Sequence, residues 1–468
     1  MNFIMSSASP VIRVNRASLQ RWCRRLVSLT LTLAAAGSAL AWSNHALGTR
    51  AALAGLPEVA ALAPLRVEPI EAYLADQALA LEALLEQEEQ WARAHVPHYP
   101  ARPDALRWRA AGATPAELRQ RFVAAVRINP DVRLNLYLQA APGQGAAGRP
   151  TLPWQQVTTL PRDAVVQAGV FLALDAGAKA TVLDVVATAA DEPDYGMDIG
   201  LWSDNGTAHG KVYGMGKQPF GNPALAYSSQ APLHMGFFHE SAIVYAAAGF
   251  LERTYPEARA HLWRTLAAQA LASGHAYWGW RFAGWALHYV QDLTQPFHAT
   301  VLPGVGVPRM LWINALDIVG WHAPKEHAIT LVSNRHLALE DIGRRGVTAA
   351  LLGQSGAQPL LAALAGTRGD SAHPRWAADD LREVVSRAAH RQADATDAAI
   401  AASLPAHYVA DPGFDYGAAD PPDDLWAVLA QSPPDARSAL LTTLGGLLAE
   451  FGRHTRGFVR TLLAPPVR

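Results

Sequence analysis

A mainly α-helical protein is expected from three observations. Apolar residues recur with helical period over most of the chain, from residues 68–95 through to residues 438–463. Only residues 133–139 (RLNLYLQ) alternate in the manner of a strand. Hydrophobic residues make up 50% and charged residues 17% of the 468 positions, enough to bury a sizeable core and too apolar for a disordered chain.

The first 41 residues are expected to be a secretory signal peptide. Arg13, Arg16, Arg21, Arg24 and Arg25 form a basic start, residues 26–37 (LVSLTLTLAAAG) a short apolar run, and Ala39-Leu40-Ala41 a small-x-small cleavage pattern. The run is short for a membrane anchor. Cleavage would make Trp42 the first residue and place the protein in the periplasm or outside the cell. It would remove the single Cys of the chain and those five Arg, taking Lys+Arg from 39 to 34 against 40 acids, a net charge of −6. That balance excludes recognition of nucleic acid by bulk phosphate neutralisation. Without thiolates, a transition-metal site must use imidazole and carboxylate, and the 17 His supply the former.

The elements then follow in order. Residues 42–56 read as a short helix. Residues 68–95 carry helix formers at helical spacing, and the Pro-rich stretch 97–103 stops them. Thr114, with Glu117 three residues on, signals the N-cap of a helix over 114–126. Residues 140–153 are Gly/Pro-rich and read as a loop, and 161–189 as helical. Residues 191–232, rich in Gly, Asp, Asn and Pro, form a long irregular segment of the kind that carries function. Helices are expected over 240–253, 256–273, 278–292, 336–352, 377–404 and 438–463. The apolar stretch 310–319 contains Asp317 and directly follows Pro308 and Arg309, against a membrane span. Trp312 and Trp321 in the 301–322 segment are expected in the core, with lipid contact the alternative reading.

The sharpest motif is residues 287–298, LHYVQDLTQPFH. His288 and Asp292, four apart, share a helix face; Pro296 favours ending that helix, and His298 follows just past the end. An imidazole and a carboxylate so placed can share one metal, and the second carboxylate oxygen can reach another. His336 and Glu340 repeat the four-residue spacing.

The His-x3-Asp-x5-His pattern resembles the central motif of the zinc-dependent phospholipase C / P1 nuclease family. Trp42 at the cleavage site resembles that family's N-terminal Trp, whose freed amine and carbonyl bind zinc, with His45 completing the set. Glu192-Pro193-Asp194-Tyr195 and Pro232-Leu233-His234 resemble the segments giving the next two ligands, and His336-x3-Glu340 the phospholipase arm. The resemblance runs from Trp42 to Glu340. It implies an all-α phospholipase C/P1 nuclease-like metallo-core as a single domain over 42–468, with an inserted mixed region at about 65–185. It implies up to three zinc ions: one on Asp194, His234, His288 and Asp292; one on Trp42, His45 and Asp292; one on His298, His336 and Glu340. Asp194 would double as general base and Tyr195 would line a head-group pocket. The chain departs from the family in the short spacing from Trp42 to His45 and in expanded stretches that supply rival ligands: Asp191, Asp198, His239, His322 and His327.

The function this implies is a secreted phosphodiesterase, foremost a phospholipase C releasing diacylglycerol and a phosphorylated head group, with transient membrane-surface contact. The alternatives are a single-strand nuclease or 3′-nucleotidase on the same scaffold, and a non-catalytic helical envelope protein with structural metals. No stable nucleic-acid complex is expected.

Overall fold

The protein is described here by a computed structural model covering residues 45–464, apart from residues 222, 224, 225, 378 and 419–422. The expected signal segment and Trp42 lie outside the described residues. Helices dominate: α1 (His45–Leu53), α2 (Ile70–Asp76), α3 (Ala78–His95), α4 (Pro115–Ala125), α5 (Val182–Asp191), α6 (Pro256–Ala272), α7 (Ala276–Asp292), α8 (Val307–Ile318), α9 (Ala323–Leu351), α10 (Gln358–Ala365), α11 (Arg387–Ser403) and α12 (Pro434–Leu463) are the main ones. Among the described residues five short strands complete the frame: β1 (Leu65–Arg66), β2 (Tyr137–Gln139), β3 (Thr151–Leu152), β4 (Phe171–Ala173) and β5 (Lys179–Ala180).

The centre of the molecule is α7. From Tyr277 to Asp292 every residue of it is buried, because its sequence is apolar and aromatic on all sides (AYWGWRFAGWALHYVQD). It forms an antiparallel pair with α6 and is also packed by α5, α12 and β1. Gly284 sets the closeness of α5: a Cβ there would stand 2.5 Å from Ala189 Cβ and 2.7 Å from the Val186 carbonyl oxygen. Arg281, buried on the same helix, is held by a two-point pair with Glu192 (2.9 and 2.7 Å), whose carboxylate also accepts from Trp285 Nε1 at 2.5 Å. Such a charge tolerates burial because its partner and its hydrogen bonds are both supplied.

Residues 65–185 leave the helical core and return to it at one place, where β1 pairs antiparallel with β5 (Leu65↔Ala180, Arg66↔Lys179). Between these strands lie α2 to α4 and a three-stranded antiparallel sheet ordered β2-β4-β3. The helices of this excursion share the main core, while its sheet covers a small apolar cluster of Tyr137, Val157, Val166 and Phe171. Trp108 packs edge-on to Phe122, and Phe122 reaches Phe282 of α7 with ring centroids 6.1 Å apart.

Several sequence expectations need correction. Residues 161–189 are not one helix: a short turn (Ala164–Gln167) gives way to β4 and β5, and helix resumes only at Val182. Gly169 and the left-handed Gly177 (φ 87°) break the period, and Thr181 restarts it by accepting from Asp184 N. Residues 68–95 divide at Gln77 into α2 and α3, residues 240–253 divide at Ala248, and the strand over 133–139 shrinks to β2. Residues 336–352 are the second half of a longer helix, α9. The Thr114–Glu117 capping box forms as read. Trp312 and Trp321 are exposed, not in the core. Among the described residues no helix is long and apolar enough to cross a membrane.

Two outcomes follow from this packing. Gly284→Ala should cost about 1–3 kcal/mol by forcing α5 away from α7, read as a lowered urea midpoint. His454 on α12 is the second case. Burial, reinforced by Arg453 and His373, drops its pKa to about 3. The unfolded chain therefore takes up this proton first, so the contribution of neutral His454 is complete above about pH 6.5 and is lost as pH falls toward 3. The loss is about 1.4 kcal/mol per pH unit within that window. His454→Gln should flatten the acid side of the stability curve, measured by urea unfolding near pH 5 and near pH 7.5.

Candidate metal centre

Three chain-distant segments converge on the C-terminal end of α7. α1 brings His45, the segment after α5 brings Asp194, and the short helix Ala231–His234 brings His234. They meet His288 and Asp292, which project from α7 one turn apart. The two triads His45/His288/Asp292 and Asp194/His234/His288 each present ligand atoms within 4.8 Å of one another. They share His288, so the five residues make one continuous group. A third triad, His298/His336/Glu340, lies alongside. Eight of the nine ligand candidates thus come together, and the ninth, Trp42, lies outside the described residues.

The distances suit a metal. A tetrahedral ion with bonds of about 2.1 Å has ligand–ligand edges of about 3.4 Å. The observed edges are 3.2 Å from His45 Nε2 to Asp292 Oδ1, 3.0 Å from His234 Nδ1 to His288 Nε2, 3.6 Å from His288 Nε2 to Asp194 Oδ1, and 3.8 Å from His234 Nδ1 to Asp194 Oδ1. Asp292 faces both sides: Oδ1 toward His45, and Oδ2 toward His234 Nδ1 at 3.0 Å. The expected division of ligands shifts in one respect, because His288 and Asp292 group with His45 as readily as with His234 and Asp194.

Three of the imidazoles are aimed by a hydrogen bond to the other ring nitrogen. His45 Nδ1 lies 2.9 Å from Gln291 Oε1, His288 Nδ1 lies 2.8 Å from the Ala190 carbonyl, and His298 Nδ1 lies 3.1 Å from the His234 carbonyl. Each acceptor selects the tautomer that leaves Nε2 unprotonated, the arrangement of a metal-ligating His with its outer partner. His234 is turned the other way: Nε2 meets Asp198 at 3.3 Å and Nδ1 faces the group. His45 Nε2, His298 Nε2, His336 Nε2 and Asp292 Oδ1 are buried and make no hydrogen bond within the protein. His336 Nε2 stands 2.7 Å from Glu340 Oε1 without hydrogen-bond alignment. Buried polar atoms converging without partners are what a bound cation would satisfy.

The electrostatics show how tightly these charges are coupled. Burial would raise Asp292, but His288, His234 and His45 outweigh it and hold the carboxyl well below its usual range. Burial lowers His45 and His234, yet Asp292 on the first, and Asp198 and Asp292 on the second, reverse this and lift them to about 9 and about 10. His288 is driven far down by burial, and His298 to about 3 for the same cause. Burial pushes Asp194 well up, and Gln230 Nε2 donates to its Oδ1 at 3.3 Å.

The rival ligands are accounted for. Asp198 accepts from Tyr289 OH at 2.6 Å and pairs with Arg259 at 2.7 Å, so it backs His234. Asp191 accepts from Ala46 N at 2.8 Å and so fixes the start of α1. His239 bonds the Arg382 carbonyl and His322 bonds Asp317. His239, His322 and His327 belong to none of the three triads. Tyr195 is buried among Tyr137, Val157, Val166 and Phe171, its hydroxyl committed to Gln139 and Asp191. Two supporting residues were not singled out from sequence, although both lie inside the 288–298 motif. Gln291 ties His45 to Thr49 and Thr455. Gln295 caps the short helix Pro296–Ala299 and donates to Glu340.

Comparison of the chain with protein-family models, with curated proteins and with solved structures finds no match.

Two substitutions separate ligand from support. Asp292→Asn should lower the bound-metal stoichiometry measured by elemental analysis. Gln291→Leu should keep the stoichiometry and weaken affinity about 10- to 100-fold in a chelator competition.

Proposed function

We propose that the protein is a secreted zinc phosphodiesterase of the phospholipase C / P1 nuclease kind, acting as a phospholipase C. The observation that carries it is Asp292, whose two oxygens face His45 on one side and His234 on the other, with a third imidazole/carboxylate triad alongside. Three closely spaced cation positions match the needs of a phosphodiester, whose negative charge repels nucleophiles and whose leaving oxygen is poor. Zinc is favoured over softer or harder ions by a donor set of imidazole and carboxylate without thiolate. Bound there, zinc would supply Lewis acidity toward the phosphoryl oxygens and make water more acidic.

The chain's own residues do the rest. Asp292, His45, His288, His234 and Asp194 hold the first group together, and His298, His336 and Glu340 the second. Asp194, its pKa raised by burial, is placed to accept a proton. Phe297 stacks on His336 with centroids 5.5 Å apart and planes at 8°, which fixes that ring. A cleft of about 630 Å³, counted out to solvent, reaches His336; Phe220, Met235, Phe237, Val301, Ile329 and Val332 line it. Apolar walls beside a candidate metal triad favour a lipid diester over a polynucleotide.

The deciding assay sets a short-chain phosphatidylcholine against single-stranded DNA. Release of diacylglycerol, lost on zinc removal and in His336→Ala, is the expected result; cleavage of DNA alone would give the nuclease reading. A protein that binds zinc and cleaves neither would be the structural-metal reading. The N-terminal amine is testable separately. A protein carrying extra residues ahead of Trp42 should bind about one zinc fewer and lose activity, and equal zinc content would remove Trp42 from the ligand set.

A further inference from the structure

The segment that carries both Asp194 and Asp198 is held by residues 65–185. It presents three consecutive carbonyls, and each is taken by a residue of that excursion. The Tyr195 carbonyl accepts from Thr159 N at 3.0 Å and from Thr158 Oγ1 at 3.2 Å. The Gly196 carbonyl accepts from Asn129 Nδ2 at 3.0 Å, and the Met197 carbonyl from Asn129 N at 2.7 Å. Asp131 N donates to Asn129 Oδ1 at 3.0 Å, which leaves the amide NH2 for Gly196. The fit is close. A Cβ on left-handed Gly196 (φ 98°) would stand 1.9 Å from Thr159 Oγ1.

The same excursion reaches His234 by another route. Arg259 of α6 donates to the carbonyls of Val126 and Arg127, just past the end of α4, at 2.8 Å each. Its third contact is Asp198 Oδ1 at 2.7 Å, and Asp198 Oδ2 lies 3.3 Å from His234 Nε2. Arg127 stands in the left-handed region (φ 51°), a conformation that costs a non-glycine residue and persists where its surroundings over-determine it. Asn129, Thr158 and Arg259 are all buried, so water does not compete for these bonds. Asp194 and His234 belong to one triad, with His288. The triad His298/His336/Glu340 is carried by other elements, the short helix Pro296–Ala299 and α9.

We propose that Asn129 and Arg259 are positioning residues through which residues 65–185 set Asp194 and His234, so that the excursion governs metal affinity at the Asp194/His234/His288 position. A ligating side chain is oriented by its outer partners, and their loss is felt as affinity. The proposal rests on the metal-centre reading and not on the choice of substrate. The test withdraws zinc from the protein with a chromophoric chelator and records the visible spectrum of the cobalt-loaded form. Asn129→Leu removes the bond to Gly196 at nearly constant volume. Arg259→Lys keeps a cation against Asp198 but cannot also hold two carbonyls in one plane. Each should release one zinc equivalent about 10- to 100-fold more readily, hold the remaining zinc as before, and change the cobalt spectrum. Tyr73→Phe is the control. It removes a different bond from the excursion to α6, Tyr73 OH to Gln269 at 2.6 Å, and should lower the urea midpoint with zinc affinity and cobalt spectrum unchanged. Either of the first two variants holding all its zinc like the unsubstituted protein would overturn the proposal. So would an equal loss in Tyr73→Phe, since metal would then follow overall stability. Failure of the metal-centre reading is distinct: the unsubstituted protein would itself bind no zinc, which overturns both. Failure of the phosphodiesterase reading shows as zinc affinity that follows these substitutions while neither diester is cleaved.

Discussion

A carboxylate buried at the end of an apolar helix is the constraint on which much of this structure depends. Asp292 is wholly inaccessible, and an isolated charge there would cost far more than a domain's net stability. It is kept ionised by imidazoles from α1, α7 and the segment before α6, at 3.0 to 3.4 Å. Those three elements must therefore meet at one point. The fold can be read as the set of contacts that brings them there.

The supporting contacts form a chain outward from that point. Gln291, next to Asp292, joins α7 to α1 and α12 through His45, Thr49 and Thr455. Ala190 and Asp191 at the end of α5 hold His288 and the first turn of α1, and the Gly284 contact lets α5 come close enough to do so. Asp198, paired with Arg259 and Tyr289, turns His234. A group of buried side chains held by such contacts is preorganised to receive a cation.

The sequence made the candidate ligands legible to different degrees. His288 and Asp292 were readable as a pair, and His298 as a neighbour just past the helix end, because helix spacing and Pro296 fix their relation locally. His336 and Glu340 gave only a spacing, and gained meaning from the first motif. Asp194 could not be separated from Asp191 and Asp198 by residue type, since all three are buried acids within eight positions. What separates them is their partners: a backbone amide for Asp191, an arginine for Asp198, and the histidines for Asp194. Gln291 and Gln295 carried no signal, because an amide earns its role only from what faces it.

The sequence alone determined what short-range physics controls: the helical period of the core, the Thr114 capping box, the one-turn spacing of His288 and Asp292, and a donor set without thiolate. Tertiary structure decided what depends on long-range closure. It broke residues 161–189 into strands, because Phe171–Ala173 finds β2 and β3 as partners. It placed His45 and His234 on either side of one carboxylate, although 189 positions separate them. It left Trp312 and Trp321 outside, because the single buried stripe of α8 is filled by Met310 and Ile313. Periodicity tells which residues share a face; only packing tells which face is covered.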